Sequence, residues 1–416
     1  MGTRTRRPVV AINTLSVPGE RLGGGFTYLR NLLPRLIAAA PGARFHLLVT
    51  KSNWRFFAAD NPQAVCTMLS DFTLRGAART MIERGWVNRW LSRIAADLYF
   101  VPYGWLPRDT PCPTVWTFQN LLLLDFAQRK QTTPRTLFHR LRERVRTRVI
   151  AEYLLPQTLG ADRIIAVSET ARDRLTAEYP GSYERIVVVP EGVGDQFIPG
   201  GDPGSDRAVR ERHGLTQPYC LSISTLMRHK RLDLLIRAFA QARQHVSSPA
   251  MLVIAGDDWG GHRRTLERIA AEVSGNTFVR FLGHVPPADL PALYRGAMMF
   301  ALFSTCEAFG LPALEAMACG CPTVVANTSG LAEIVADGGL LVDPADFDGM
   351  VRTLSSLLMS PERRAELARA GLLRAAKFSW ARAAQQTVAV FEELLGLPIV
   401  ATSERVASEL IPAEVS

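Results

Sequence analysis

Cysteine is scarce in this chain: six residues in 416, at Cys66, Cys112, Cys220, Cys306, Cys319 and Cys321. None forms a Cys-x-x-Cys pair or a Cys/His cluster, so neither a disulfide scaffold nor a structural zinc site is expected. Long apolar runs are also lacking. Stretches such as Ala297–Phe303 break well before the roughly 20 residues that a membrane helix needs. The basic start, Met1–Pro8, leads into an apolar run, Val9–Ile12, far shorter than a secretion-signal core, so no signal peptide is expected. Acidic residues are in deficit, 39 against 48 Lys and Arg, for a net charge of +9. That excess favours anionic partners: nucleic acid, phosphate groups or an acidic membrane face. No helix-turn-helix, RNP-like aromatic pattern or zinc finger accompanies it, so nucleic acid is not the expected partner. The expected location is cytoplasmic, with a peripheral place on the inner membrane face left open.

What is present describes a large globular protein. Hydrophobic residues make up 47% and charged residues 21%, which excludes a mainly disordered chain. The length allows two or three domains, each with its own core. Short β-branched or apolar runs alternate with longer segments of helical period, the pattern of parallel strands joined by helices, so the fold class is α/β. Strands are predicted at Val9–Asn13, Phe45–Val49, Leu98–Val101, Thr114–Thr117, Arg163–Ala166 and Ile186–Val189, with a helix at Phe26–Ala39. The segment Phe197–Asp206, FIPGGDPGSD, reads as an exposed connection. Beyond it the alternation restarts, with strands at Tyr219–Ile223, Met251–Ala255, Val279–Leu282, Met298–Phe303, Thr323–Ala326 and Leu340–Val342.

Two Rossmann-like doubly wound domains facing a central cleft are therefore expected, at 1–198 and 207–379. A C-terminal helix, 380–398, is expected to return to the first domain, and 400–416 to be a disordered tail.

Three stretches carry chemistry. Phe300–Asn327, FALFSTCEAFGLPALEAMACGCPTVVAN, reads strand, turn, helix, turn, strand. Gly310 permits a tight turn, Pro312 suits the first helical position, and Gly320 with Pro322 ends the helix. Glu307 and Glu315 then gather at the strand's carboxyl end, on the loop and the first helical turn. A helix N-terminus attracts an anion, and carboxylates accept hydrogen bonds from sugar or ribose hydroxyls. A phosphate-bearing sugar meets both demands. The plainer alternative is a solvated loop residue and a helix-dipole partner.

In Ser222–Phe239, a strand runs into Arg228, His229, Lys230 and Arg231, with Asp233 as the expected N-cap of the next helix. Cations there suit a diphosphate leaving group, whose charge grows as its bond breaks. A solvated basic turn is the alternative. The third stretch, Arg21–Asn31, places Gly23, Gly24 and Gly25 after the first strand, where backbone can approach a ligand closely. It is neither a GxGxxG nor a Walker loop. His213, His262 and His284 are read as ordinary surface or packing histidines.

The block CEAFGLPALEAMACGCPTVVAN resembles the EGFGLPxLEAMAxGxPVV signature of the retaining glycosyltransferases of family 4, a family with the two-domain GT-B fold. Three further segments are similar to that family in the same order: Ala161–Leu175, ADRIIAVSETARDRL; Val187–Pro199, VVVPEGVGDQFIP; and Phe281–Tyr294, FLGHVPPADLPALY. The resemblance covers roughly 160–395 strongly and the first 50 residues more loosely.

The resemblance implies a retaining transfer of a hexose, with mannose the common donor sugar of the family. The donor would be a nucleotide-diphosphate sugar, GDP-mannose or a UDP-sugar. The acceptor would be a hydroxyl of a glycan or lipid-linked molecule, in cell-surface polysaccharide or glycolipid assembly. No cofactor and no metal are required. Residue by residue, Glu315 would hold the donor ribose and Glu307 would face the donor sugar. The backbone of Phe309, Gly310 and Leu311 would cradle sugar and phosphate, and Lys230 would meet the diphosphate. His284 and Val285 would lie near the base, with Gly24 and Gly25 near the diphosphate.

Two departures stand out. The family's Gly-Arg before the lysine loop is Ser224-Thr225 here, so Arg228 is taken as the partner cation. The family's His-Asp pair is replaced by Gln119 and Asn120 in TVWTFQNLLLLD, which makes these two candidate acceptor-binding residues. The departures also leave a second reading, a catalytically inactive member acting as a sugar-nucleotide-binding or scaffold protein. Separately, Arg129–Arg148 is strongly basic, and Leu137, Leu141, Val145 and Val149 recur every four residues. This predicts an amphipathic basic helix that either meets an anionic bilayer or packs on its own domain with the arginines solvated.

Overall fold

A computed structural model of the chain describes residues 6–17, 23–58, 60–69, 77–127, 148–274 and 278–400. The chain divides into two units. One takes the residues up to Glu191 together with those from Trp380; the other is Gly192–Ser379.

The first unit is built on a sheet of β1 (Val9–Asn13), β2 (Arg44–Thr50), β3 (Val65–Leu69), β4 (Leu98–Val101), β5 (Thr114–Phe118), β6 (Arg163–Ala166) and β7 (Ile186–Val188). All pairs are parallel, in the order β3-β2-β1-β4-β5-β6-β7. Every residue of β1, β4 and β5 is buried, as apolar runs covered on both faces should be. β3 has no counterpart among the predicted strands. It lies at the sheet edge with Val65, Cys66 and Met68 exposed, so it carries no buried run to betray it.

The helix Gly24–Ala39 starts two residues before the expected Phe26, which puts Gly24 and Gly25 in its first turn. It packs along the helix Trp380–Leu395, where Tyr28 meets Trp380 edge-on with ring centroids 5.5 Å apart. The chain after that helix is tied down. The Ile399 carbonyl accepts the Gly42 N–H at 2.9 Å, and Glu392 Oε1 accepts the N–H groups of Ile399 at 2.6 Å and Val400 at 3.2 Å. Val400, expected to open the loose tail, is thus held in place; 401–416 lie outside the described residues.

The second unit carries β8 (Tyr219–Ile223), β9 (Met251–Ala255), β10 (Val279–Gly283), β11 (Met299–Leu302), β12 (Thr323–Ala326) and β13 (Leu340–Val342). Its parallel order is β10-β9-β8-β11-β12-β13. Leu235, Ile236 and Phe239 of the helix Leu232–His245 pack with Leu252 and Ile254 of β9 and with Leu354 and Leu357 of the helix Phe347–Met359 in its core.

Residues 197–206, expected as an exposed connection, belong to this unit. Asp202 caps the helix Pro203–Arg212 by accepting the Ser205 N–H at 2.7 Å. Arg295 grips Asp206 through two 2.6 Å bonds and donates to the Ile198 carbonyl at 3.2 Å. Gly and Pro read as a linker here because a capped helix start and a turn draw on the same residue types.

The strand order of the second sheet reverses between β8 and β11. Loops leaving the carboxyl ends of these two strands diverge, and the crevice between them is where open α/β sheets take ligands.

Candidate active site

The loops after β8, β9 and β10 are laced by their own backbones. Ser224 N–H donates to the Ala255 carbonyl at 3.0 Å, Leu226 N–H to Asp257 at 2.9 Å, and Gly256 N–H to Gly283 at 2.8 Å. Gly256 has φ +137°, and a Cβ there would lie 1.9 Å from the Ser224 carbonyl oxygen, so this crossing admits only glycine.

After β8 the chain makes a single 3₁₀ turn, Arg228–Lys230, and then Arg231 adopts the left-handed conformation, φ +49°. Arg231, not the expected Asp233, is the N-cap of the helix Leu232–His245. Asp233 falls in the first turn instead, 3.4 Å from Arg231 Nε. The left-handed residue ends the short turn and redirects the chain, a job that the Asp-capping pattern did not anticipate.

The lysine loop is joined to the loop after β11. Thr305 N–H donates to the His229 carbonyl at 2.8 Å. Beside it, Lys230 Nζ and Glu307 Oε1 form an ion pair, with only 14% and 15% of the two side chains exposed. The Glu307 peptide is clamped from the far side. Its N–H donates to Ser329 Oγ at 3.0 Å, and its carbonyl accepts the Gly330 N–H at 2.9 Å. Ser329 and Gly330, at the start of the helix Ser329–Val335, were not among the sequence candidates. They lie more than twenty positions along the chain, and no local pattern links them to Glu307.

Gly310, φ +115°, is the N-cap of the helix Leu311–Ala318, and Pro312 is its second residue, one past the expected first position. Phe309 is 3% exposed, and its ring meets Phe378 edge-on at 5.8 Å. Glu315 departs from the expected first turn: it is the fifth residue of the helix and is buried. Its Oε2 accepts a hydrogen bond from the Tyr294 hydroxyl at 3.0 Å. Burial pushes the Glu315 carboxyl up to about 8, against a smaller opposing effect of the tyrosine bond. A carboxyl buried without a cation is costly in its charged form, and such groups concentrate where ligands bind.

His284 lies after β10 with Nδ1 3.5 Å from Asp257 Oδ2, half exposed, while Val285 is buried. Arg228 influences His262, whose pKa is held below the ordinary value by burial and then by the Arg228 cation. Two of the histidines read as ordinary thus have carboxylate neighbours: His284 with Asp257, and His213, whose Nε2 lies 2.8 Å from Asp289 Oδ2. Arg228, Lys230, His284, Glu307, Gly310 and Glu315 all follow or support the carboxyl ends of strands in the second sheet.

Gly24, Gly25, Gln119 and Asn120 belong to the first unit. Gly24 has open space where a Cβ would be, whereas a Cβ on Gly25 would lie 2.8 Å from the Tyr103 ring. Gln119 Nε2 donates to the Pro102 carbonyl at 2.6 Å, tying its loop to the one after β4, and Asn120 Oδ1 accepts the Leu122 N–H at 3.1 Å within its own loop. Of the basic segment Arg129–Arg148, only Arg148 lies within the described residues; it is exposed and pairs with Glu152 at 2.9 Å. Among the described residues no helix is long and apolar enough to cross a membrane, and no three His, Cys, Asp or Glu side chains gather as metal ligands.

Comparison with known proteins adds to this geometry. Residues 22–197 match the family model Glycosyltransferase Family 4, and residues 206–374 match Glycosyl transferases group 1. The chain is 30% identical over 250 residues to the O-antigen chain mannosyltransferase B of Escherichia coli, which covers 60% of this chain and 65% of that protein. It is 33% identical over 307 residues to a D-inositol 3-phosphate glycosyltransferase of Corynebacterium aurimucosum, over 71% of this chain and 70% of that protein. The chain spans 54–65% of the length of the first curated relatives it matches. In fold it is similar to Anabaena HepE in complex with UDP and glucose, with a TM-score of 0.67 at 17% identity over 92% of this chain and 99% of that one. With both halves matched by these models and a relative aligned over most of its length, the chain belongs to the group 1, family 4 glycosyltransferases of the GT-B fold.

Proposed function

We propose that this chain is a retaining hexosyltransferase that moves mannose from a nucleotide-diphosphate donor to a hydroxyl of a glycan or lipid-linked acceptor. The assignment of mannose is supported by the name of the E. coli relative, a mannosyltransferase. GDP-mannose is the donor proposed first, a UDP-sugar the second. Cell-surface polysaccharide or glycolipid assembly, at the inner face of the membrane, is the setting proposed for it.

The observation that carries the reading is the Lys230–Glu307 ion pair at the reversal of strand order, with Glu315 on the helix that follows. Lys230 offsets the charge that develops on the diphosphate as the bond to the sugar breaks, and Arg228 adds a second cation to the same loop. Glu307 faces the donor sugar, Glu315 receives the ribose hydroxyls, and the backbone of Phe309, Gly310 and Leu311 cradles sugar and phosphate. His284 and Val285 border the base. In the first unit Gly24 and Gly25 serve the diphosphate, and Gln119 and Asn120 the acceptor.

The proposed transfer proceeds on one face of the sugar. The acceptor oxygen bonds to the anomeric carbon while the bond from that carbon to the phosphate oxygen breaks. The departing oxygen keeps the electron pair and takes the acceptor's proton, so no histidine is needed at Gln119. Proton NMR of the first-formed product tests this: an α-linked product from an α-linked donor is expected, and a β-linked one contradicts retention. Donor binding with no turnover under any acceptor would instead support the scaffold reading that Ser224, Thr225, Gln119 and Asn120 leave open.

A further inference from the structure

Tyr294 comes from the helix Leu290–Gly296, and Glu315 from the helix Leu311–Ala318. The tyrosine is fully buried, and its ring is fixed by Phe197 at 5.9 Å and Phe300 at 5.8 Å. Its helix is in turn held to β8, where the Tyr219 hydroxyl donates to the Leu293 carbonyl at 2.7 Å. Two aromatic neighbours and a strand therefore aim one phenol at one carboxyl oxygen.

Packing alone does not require that phenol, since a phenylalanine ring fills the same volume. A buried phenol needs a partner, and this one has Glu315 Oε2 at 3.0 Å. A carboxyl group, ionised or protonated, can make more than one hydrogen bond, so one tyrosine bond leaves capacity unused. Glu315 keeps an exposure of 8%.

We infer that Tyr294 is the positioning residue for Glu315, holding one carboxyl oxygen so that the other is presented to the vicinal hydroxyls of the donor's ribose. The inference rests on the proposed reading in which Glu315 receives the ribose. Tyr294 touches neither sugar nor phosphate in this arrangement; it acts through the Glu315 carboxyl group. Without its hydroxyl the carboxyl loses its single hydrogen bond among the described residues and is free to turn between rotamers, which weakens its selection of a ribose over a deoxyribose.

The test is a ratio of affinities on one folded protein. Binding of GDP and UDP, each beside its 2′-deoxy counterpart, is measured by calorimetry for the whole chain and for Tyr294→Phe. The wild-type chain is expected to prefer the ribose form of its own nucleotide by about tenfold, the upper end of what one net hydrogen bond contributes. Tyr294→Phe is expected to lose most of that preference while binding the 2′-deoxy form as the wild type does. A general loosening of the fold weakens both ligands equally and leaves the ratio intact. A second variant, Tyr294→His, keeps a ring and a donor and is expected to retain part of the preference, so the comparison survives if Tyr294→Phe does not fold. An unchanged ratio in both variants overturns the role of Tyr294. A wild-type chain that binds its nucleotide without preferring ribose overturns the assignment of Glu315 beneath it.

Discussion

Lys230 and Glu307 meet across the strand-order reversal of the second sheet, one delivered by the loop after β8 and the other by the loop after β11. Each is mostly withdrawn from solvent, so each is the other's principal counter-charge. On the proposed reading, a diphosphate arriving at Lys230 competes with the carboxylate already there. Replacing Glu307 with Gln removes the competitor. The variant is expected to bind free nucleoside diphosphate roughly tenfold more tightly, about 1.4 kcal/mol, while losing transfer. Calorimetry with GDP and UDP, paired with a donor-turnover assay, checks both halves; weaker nucleotide binding in Glu307→Gln contradicts the competition.

Glu315 makes stability depend on pH in an unusual direction. Its folded-state pKa, about 8, lies above the ordinary carboxyl value, so between about 4.5 and 8 the folded chain holds a proton that the unfolded chain has released. The folded state binds more protons in that window, so this group's contribution to stability falls as pH rises through it and levels off above about 8. Glu315→Gln abolishes the titration. The difference in Tm between Glu315→Gln and wild type should therefore grow in the variant's favour from pH 5 to pH 8. A difference that is flat or reversed contradicts the burial of a carboxyl without a counter-charge.

The glycines separate scaffold from ligand approach. At Gly256 both the φ of +137° and the 1.9 Å approach to the Ser224 carbonyl forbid a side chain, so Gly256→Ala is expected to destabilise the chain by at least about 2 kcal/mol in urea unfolding. Gly24 sits in a first helical turn with nothing within 4 Å of a Cβ. Gly24→Ala is therefore expected to leave stability within about 1 kcal/mol of wild type. If Gly24 serves the diphosphate, the same variant lowers transfer without lowering Tm.

Much of this architecture was legible because buried parallel strands are written as short apolar runs: VVAIN, LYFV and MLVIA stand where the sequence places them, to within a residue or two. β3 escaped because an edge strand with exposed Val65 and Met68 has no such run. The Glu307-x7-Glu315 spacing was legible as a constellation, but its geometry was not. Sequence separation cannot reveal that the helix begins at Leu311, which moves Glu315 off the first turn and into the interior. Nor can it pair Glu315 with Tyr294, whose ring follows the apolar face of its helix and hides a polar tip. The Lys230–Glu307 contact spans 77 positions and follows only from the strand order.

The centre formed by Lys230 and Glu307 is proposed to transfer a sugar from a nucleotide-diphosphate donor. Its most direct measurement is release of nucleoside diphosphate by the purified chain from a panel of GDP- and UDP-sugars, with Lys230→Ala measured beside it. Release from one donor class is expected of the wild type, and a loss of at least about 100-fold in a Lys230→Ala chain shown by circular dichroism to be folded at the assay temperature. Full activity of Lys230→Ala, or a wild-type chain that neither binds nor consumes any donor, contradicts it.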